Sequence, residues 1–420
     1  MTGDRWFPEL PADWKCERAK YVVQCLDRKI NAAETDLEYT GLESVEAWTG
    51  RRVPSSDPAI SEGTANVYSK GDVLFGKLRP YLAKALEVQD DGICSTEFLV
   101  LRPKKISGRY LQYLLRTPAF IDVISAWTYG AKMPRASWDI VGSLLLPIPP
   151  KGYMDSIVTF LDRETTRIDE LVTEVERLSV LLEEKREAIV AHAVTKGLST
   201  RVRMRYSGVE WLGDVPDHWE IRRVKTLFRL KCTPAPIDND MELLSLYTDV
   251  GVKPRRELEE RGNKASTTDG YWIVEPGDIV VNKLLAWMGA IAASKYGGVT
   301  SPAYDVLRAI KPLDPWYYDL LFRSGLYLTP FRMNSRGIMD MRLRLYFDRL
   351  GTILVPYPPK AEQQEIVKHV GLKTLPYTAA INHCKEYVSR LRHYRSSLVT
   401  DAVTGQIDVL SYRLGDPITV

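Results

Sequence analysis

Residues 3–15, GDRWFPELPADWK, are answered in mid-chain by residues 208–220, GVEWLGDVPDHWE. Gly3, Trp6, Pro11 and Trp14 correspond to Gly208, Trp211, Pro216 and Trp219, every pair 205 residues apart. The likeness continues in order. GDVLFGKL (71–78) matches GDIVVNKL (277–284), and VLRP (100–103) matches VLRA (306–309), both 206 apart. LLLPIPPK, ending at Lys151, matches TILVPYPPK, ending at Lys360, and AVTKG (193–197) matches AVTGQ (402–406), both 209 apart. So small a drift over so long a stretch marks a duplication, with copies at roughly 1–200 and 206–410. A period near 200 residues is far longer than that of stacked solenoid repeats, so each copy is a domain-sized unit. The 420-residue length agrees, being above the usual limit of one core.

Both copies follow one plan: a Trp-x7-Trp opening, a mixed domain, an apolar strand ending in Pro-Pro, then a long helix. From Met154 to Lys196 there is no Pro and no Gly. Ile157, Leu161, Ile168, Leu171, Val175, Leu178, Leu182, Ile189 and Ala193 recur at helical spacing and form one stripe, with charged residues on the other faces. The second helix repeats it with Ile366, Val370, Tyr377, Ile381, Cys384, Val388, Leu391 and Leu398. Gly371 and Pro376 interrupt that run, so a kink or break is expected there. Two helices with one stripe each are expected to pair as an antiparallel coiled coil, related by a pseudo-twofold internal repeat. The domains read as α/β. Strands are expected at Val73–Phe75, Phe98–Leu101, Leu144–Ile148 and Ile279–Val281, and helices at Tyr110–Leu115 and Tyr317–Arg323. The fold class is therefore two similar mixed α/β domains alternating with two long helices. The segments are 1–150, 151–200, 201–360 and 361–420.

Composition is that of an ordinary globular protein, 45% hydrophobic and 26% charged. No apolar run approaches the roughly 18 residues of a membrane span. The first residues lack the basic and apolar stretches of a signal peptide. Five scattered cysteines without a CxxC pair argue against a disulfide framework or a zinc site and fit a cytoplasmic setting. Net charge is only +3, so any polyanion-binding surface must be local.

Catalytic signatures are missing. Gly71, Gly76 and Lys77 fit the spacing of a phosphate loop, but Leu78 stands where a metal-binding hydroxyl is needed. The Pro-Pro pairs lack the leading amide or acid and the trailing aromatic with which adenine methyltransferases clamp a base. The five histidines show no ligand spacing. No catalytic, cofactor-binding or metal-binding residue is assigned.

Two stretches are locally basic. Tyr129 to Arg135 holds Lys132 and Arg135; Phe331 to Arg349 holds Arg332, Arg336, Arg342, Arg344 and Arg349 against Asp340 and Asp348. Both precede the Pro-Pro strand, so they are equivalent in the two copies. Lys77 and Arg79, with Lys283 in the repeat, form a second shared basic position. Arg and Lys in such loops offer contacts to phosphates and guanine edges. The candidate DNA-binding residues are Lys77, Arg79, Lys132, Arg135, Lys283, Arg332, Arg336, Arg342 and Arg344.

The duplicated opening, the Gly-Asp strand ending in Lys, the Pro-Pro strand and the helix running into AVTxG resemble the specificity subunit of type I restriction–modification systems. The resemblance covers nearly the whole chain. Its best motif is Val355–Gln364, where Pro358-Pro359 is followed by Glu362-Gln363; the first copy has Tyr153 and Met154 in place of Glu-Gln. The resemblance implies two target-recognition domains, each reading half of a split site in double-stranded DNA, and helices that act as a ruler. It implies a chain that is not an enzyme. Two methyltransferase subunits would dock on the helical region, carrying S-adenosylmethionine, and restriction subunits would add ATP-driven translocation and cleavage. Two other readings remain at this point: a coiled-coil adaptor that binds only proteins, and a stand-alone methyltransferase or nuclease.

Overall fold

The computed structural model describes residues 6–54, 63–128, 134–258, 268–338 and 342–412. They fall into two units, Met1–Glu176 with Glu386–Val420, and Arg177–Lys385. The units are thus not the sequence copies. Each joins one globular domain to one half of each long helix.

Unit 1 contains β1 (Lys15–Arg18), β2 (Val23–Leu26), β3 (Val73–Gly76), β4 (Ala85–Glu87), β5 (Phe98–Pro103), α1 (Gly108–Leu114), β6 (Leu145–Ile148) and the first half of α2 (Lys151–Lys196). Unit 2 contains the rest of α2, then β7 (Glu220–Arg223), β8 (Phe228–Leu230), β9 (Ile279–Asn282), β10 (Ile291–Ala293), β11 (Tyr304–Ala309), α3 (Pro315–Arg323), β12 (Leu354–Tyr357) and the first half of α4 (Lys360–Val403). The main sheet of unit 1 has the order β2-β5-β3-β4, and that of unit 2 has β8-β11-β9-β10. Every pairing in them is antiparallel. Even the register is shared: Val73 faces Leu101 as Ile279 faces Leu307. The central strands β3 and β9 are buried on both faces, which is why they read as continuous apolar runs. In each unit the opening strand pairs antiparallel with the Pro-Pro strand, β1 with β6 and β7 with β12.

One ion pair is duplicated. The Arg102 guanidinium donates to both oxygens of Asp72 at 2.7 and 2.8 Å, and Arg308 does the same to Asp278 at 2.8 and 2.7 Å. The Asp is the second residue of the repeated Gly-Asp turn, and the Arg belongs to the repeated Val-Leu-Arg. Both carboxylates are buried, and a forked guanidinium is the cation best shaped to hold them.

The repeated motifs at the ends of the long helices have a common role. The Tyr110 hydroxyl donates to the Val403 carbonyl at 3.0 Å in unit 1, and the Tyr317 hydroxyl donates to the Val194 carbonyl at 2.7 Å in unit 2. Gly197 and Gly405 then leave the helix at φ +72° and +70°, the left-handed exit that glycine permits. There the helix end packs on the opening motif. A Cβ on Gly197 would lie 3.3 Å from Trp219, and one on Gly405 would lie 2.6 Å from Pro11. The Trp, the Tyr and the Ala-Val-Thr-x-Gly motif are therefore parts of one joint.

The other ends of the helices are anchored differently in the two copies. In unit 2, Gln363 is fully buried; its oxygen accepts the Asp314 N–H at 2.8 Å and its amide donates to the Pro358 carbonyl at 2.8 Å. Glu362 lies 2.8 Å from the ring of His218. In unit 1 the sulfur of Met154 accepts the equivalent Ser107 N–H at 3.3 Å, and Tyr153 donates to Asp408 at 2.9 Å. The missing Glu-Gln is thus replaced by another pair making the same kind of tie.

The helices pair antiparallel in each unit. Asp169 meets Arg395 and Glu176 meets Arg392 in unit 1; Glu183 meets Lys385 in unit 2. The apolar stripe is unevenly covered along its length. Ile157, Leu161, Ile168 and Ala193 are buried in the domain cores, and Ile381 and Val388 are buried in mid-helix, but Leu171 and Leu178 are 41% and 49% exposed. One expectation needs correction: a break in α4 does not occur, and the helix runs continuously through Gly371 and Pro376. Pro376 removes the partner of the Leu372 carbonyl, and Leu372 is 66% exposed, so solvent satisfies that group. Among the described residues, no helix is long and apolar enough to cross a membrane.

Two predictions follow from the joint. Tyr317→Phe leaves the buried Val194 carbonyl without its donor, at a cost of about 1–2 kcal/mol. Hydrogen exchange should rise in residues 190–197 and leave unit 1 unchanged. Asp401, near the end of α4, has one carboxylate oxygen without a hydrogen-bond partner among the described residues. Burial pushes its carboxyl up to about 6 from the usual 3.8. The folded-state value exceeds the unfolded one, so the native chain holds a proton between these pH values that the unfolded chain has lost. The destabilising charge is present above pH 6 and absent below 4. Asp401→Asn should stabilise unit 1 by about 1–3 kcal/mol at pH 7.5, and urea titrations should show that gain fading as pH falls from 6 to 4.

Candidate nucleic-acid interface

In unit 1 the site begins where β3 leaves the sheet. The Lys77 N–H donates to the Glu97 carbonyl at 2.7 Å, and the Lys77 carbonyl accepts the Ala136 N–H at 2.9 Å. The Arg79 N–H donates to the Pro134 carbonyl at 2.9 Å. The two basic positions found in the sequence, 77–79 and 134–136, are thereby stitched together. Arg79 sits at φ 53° and Ala83 at φ 48°, left-handed conformations that cost a residue with a side chain about 1 kcal/mol or more. Between them a single 3-10 turn, Pro80–Leu82, presents Tyr81 at 48% exposure.

The cations differ in freedom. Arg135 forks onto the Glu97 carboxylate at 2.9 and 3.1 Å. Lys77 is half-buried; its charge opposes the burial that pushes the Cys94 thiol up to about 12. Arg79 is exposed and its guanidinium has no hydrogen bond or ion pair among the described residues. Lys132 lies outside the described residues.

Unit 2 repeats the stitch: the Leu345 N–H donates to the Lys283 carbonyl at 2.9 Å. Arg336 and Arg344 exchange both backbone hydrogen bonds at 2.9 Å, which fixes their side of the loop. Lys283 is held by Asp305 at 3.1 Å and by the Pro302 carbonyl at 3.0 Å. Arg336 meets Asp348 at 2.8 Å, and Arg332 lies 5.4 Å over the Trp287 ring. Arg342 and Arg344 are exposed and have no ion pair among the described residues. The structure therefore brings each shared Lys to its basic loop, and it divides the cations into held ones (Arg135, Lys283, Arg332, Arg336) and open ones (Arg79, Arg342, Arg344).

The sequence reading missed the carboxylates Glu97 and Asp305, because ion pairing across a fold leaves no local signal; Asp348, noted within the basic stretch, pairs with Arg336. The reading also missed the aromatics Tyr81 and Trp287. These are 206 residues apart, on equivalent turns (Pro80–Leu82 and Ala286–Met288) that end in left-handed Ala83 and Gly289. The register that relates Gly71 to Gly277 would have found them. Chemically the arrangement offers open guanidinium groups and flat rings. Among the described residues, no group of three or more His, Cys, Asp or Glu stands ready to hold a metal ion.

No family model matches the chain. It is 21% identical over 204 residues to the type I restriction enzyme EcoDI specificity subunit of Escherichia coli, a match covering 47% of this chain and 45% of that one. It is 29% identical over 115 residues to the StySPI specificity subunit of Salmonella potsdam, covering 26% and 24%. The chain thus spans less than half the length of the curated relatives it matches. A chain in a solved structure concerned with assembly and conformational transition of the type I R-M system superposes with a TM-score of 0.65 at 20% identity, covering 95% of this chain and 100% of the other. The fold is shared with that chain. The resemblance seen in the motifs is therefore borne out by type I relatives in sequence and by a type I chain in fold.

The division of cations predicts opposite effects on polyanion binding. Arg79→Ala should elute from a heparin column at lower salt than the parent chain. Glu97→Gln, which releases Arg135, should elute at higher salt. Lys283→Ala should move less than Arg79→Ala, because Asp305 already neutralises that ammonium.

Proposed function

We propose that this chain is the DNA-sequence specificity subunit of a type I restriction–modification system, a binding module without chemistry of its own. The observation that carries the reading is the recurrence, in both units, of one basic loop stitched by backbone hydrogen bonds to the Lys that ends the central strand. The type I fold and the names of the sequence relatives support it. Each unit reads one half of a bipartite site in double-stranded DNA. Arg79, Arg342 and Arg344 meet phosphates or guanine edges, and phosphate contacts give salt-dependent affinity while base-edge contacts give sequence choice. Two modest half-site affinities combine through effective concentration.

The long helices serve as ruler and dock. On unit 2, Leu178, Val180 and Leu181 from α2 and Leu372 and Leu375 from α4 are between 49% and 66% exposed. Exposed apolar side chains on the helices suit protein-binding surfaces, here for methyltransferase subunits, two per chain as the duplication implies. Restriction subunits join that assembly. S-adenosylmethionine and ATP belong to those partners, and the cytoplasm is the compartment.

The test is a methylome. A host making a type I methyltransferase subunit together with this chain should gain N6-methyladenine at one bipartite motif. Lengthening α2 and α4 by seven residues each, near 180 and 382, adds about 10 Å of helix. The methylated motif should gain about three unread base pairs, at roughly 3.4 Å per step, with both half-sites unchanged. An unaltered methylome in the first experiment refutes the reading; new half-sites in the second refute the ruler.

A further inference from the structure

The two copies differ at one interior place in a way that the duplication makes legible. In unit 1, Arg109 of α1 donates to Asp162 of α2 at 2.8 Å, and the Tyr113 hydroxyl donates to the same oxygen at 2.7 Å. Thr165 lies 3.3 Å from that hydroxyl, and Arg109 packs on the Tyr113 ring. The space between domain and helix is filled. The equivalents in unit 2 are Trp316 for Arg109, Leu320 for Tyr113 and Gly371 for Asp162. These assignments rest on the equivalent tyrosines Tyr110 and Tyr317 and on the common 209-residue offset of the helices. A phenol and a carboxylate are lost, and a Cβ on Gly371 would meet nothing within 4 Å. What remains is a cavity of about 570 Å³ bounded by α3, the turn before Gly251 and α4.

Its charge has changed as well. Glu87 of β4 becomes Ala293 and Gln89 becomes Lys295. Three cations, Lys253, Lys295 and Arg323, now line the cavity with a single lining acid, Asp319. Arg323 is fixed by donating to the Thr248 and Asp249 carbonyls at 3.3 and 2.8 Å, as Arg116 is by the Trp48 and Thr49 carbonyls in unit 1. Lys253 is shared with the Tyr296 hydroxyl at 3.2 Å and with Glu257 at 3.4 Å, and the Lys295 ammonium lies 5.4 Å over the Trp316 ring. One oxygen of Asp319 accepts the Ala293 N–H at 2.8 Å. The lining is completed by apolar Leu320 of α3 and Val367 and Val370 of α4.

We infer that this cavity is a binding site for a small phosphomonoester with a flat organic body, of the class of a nucleoside monophosphate. The phosphate meets Lys253, Lys295 and Arg323. Asp319 accepts from a hydroxyl or amino group, and the ring lies along Leu320, Val367 and Val370. The volume is within the range of small-ligand sites. The inference stands apart from DNA recognition, since none of these residues belongs to the candidate interface.

The full chain is titrated calorimetrically with adenosine monophosphate, guanosine monophosphate and inorganic phosphate. Saturable binding of a nucleotide, at least tenfold tighter than phosphate alone, is expected. Lys295→Ala, an exposed position that does not threaten folding, should weaken it at least tenfold. The double variant Leu320→Tyr with Gly371→Asp restores the filling of the other copy and should abolish it while retaining heparin binding. No saturable binding of either nucleotide overturns the inference, as does equal binding of phosphate. So does nucleotide affinity unchanged in Lys295→Ala or in the folded double variant.

Discussion

The fold hangs on a tyrosine hydroxyl that reaches a carbonyl in the last turn of a helix hundreds of residues away or more than a hundred residues back. Tyr110 holds Val403, and Tyr317 holds Val194. Both phenols are fully buried, and burial raises their ionisation well above the ordinary tyrosine value, so they remain donors. A helix end leaves carbonyls unpaired. Here the domain supplies a donor, the glycine turns the chain away, and the tryptophan of the opening motif covers the exit. With that joint made, each domain has a long helix arriving and another departing, and the basic loops are held on a body that has somewhere to stand.

Much of this was legible because duplication writes a structure twice. Strands at Val73, Phe98, Ile279 and Leu145, and helices at Tyr110 and Tyr317, are where apolar patterning put them. The antiparallel pairing of the helices followed from one stripe on each. What the patterning did not reveal was how unevenly the stripes are covered. Ile157 and Leu161 look the same in sequence as Leu171 and Leu178, yet the first pair is buried in a domain core and the second is left largely open. The continuity of α4 through Pro376 was not legible for a related reason: the effect of a proline depends on whether solvent can reach the freed carbonyl, and the sequence carries no exposure.

The candidate interface was half legible. Position in the repeat pointed to two basic places in each copy, some sixty residues apart, and folding joins them: Lys77 to Ala136 and Lys283 to Leu345. Charge alone did not tell these cations apart. Four of the named cations already have a carboxylate or a ring as neighbour, from residues chosen by folding and not by proximity in the chain. The open ones are distinguished by what is absent around them, which only coordinates display.

The composition of the units has a consequence for biogenesis. Unit 2 is one continuous stretch, Arg177–Lys385, whereas unit 1 needs Glu386 onward to complete its core through Leu398, Ala402 and Val403. Synthesis proceeds from the amino terminus, and domains fold as their residues emerge. The domain translated first must therefore wait, with Trp14 lacking its Gly405 neighbour and Tyr110 its Val403 acceptor, until the ribosome has nearly finished, while the domain translated second can close before it. Any truncation that removes the last helical turns injures the front of the protein and spares its middle.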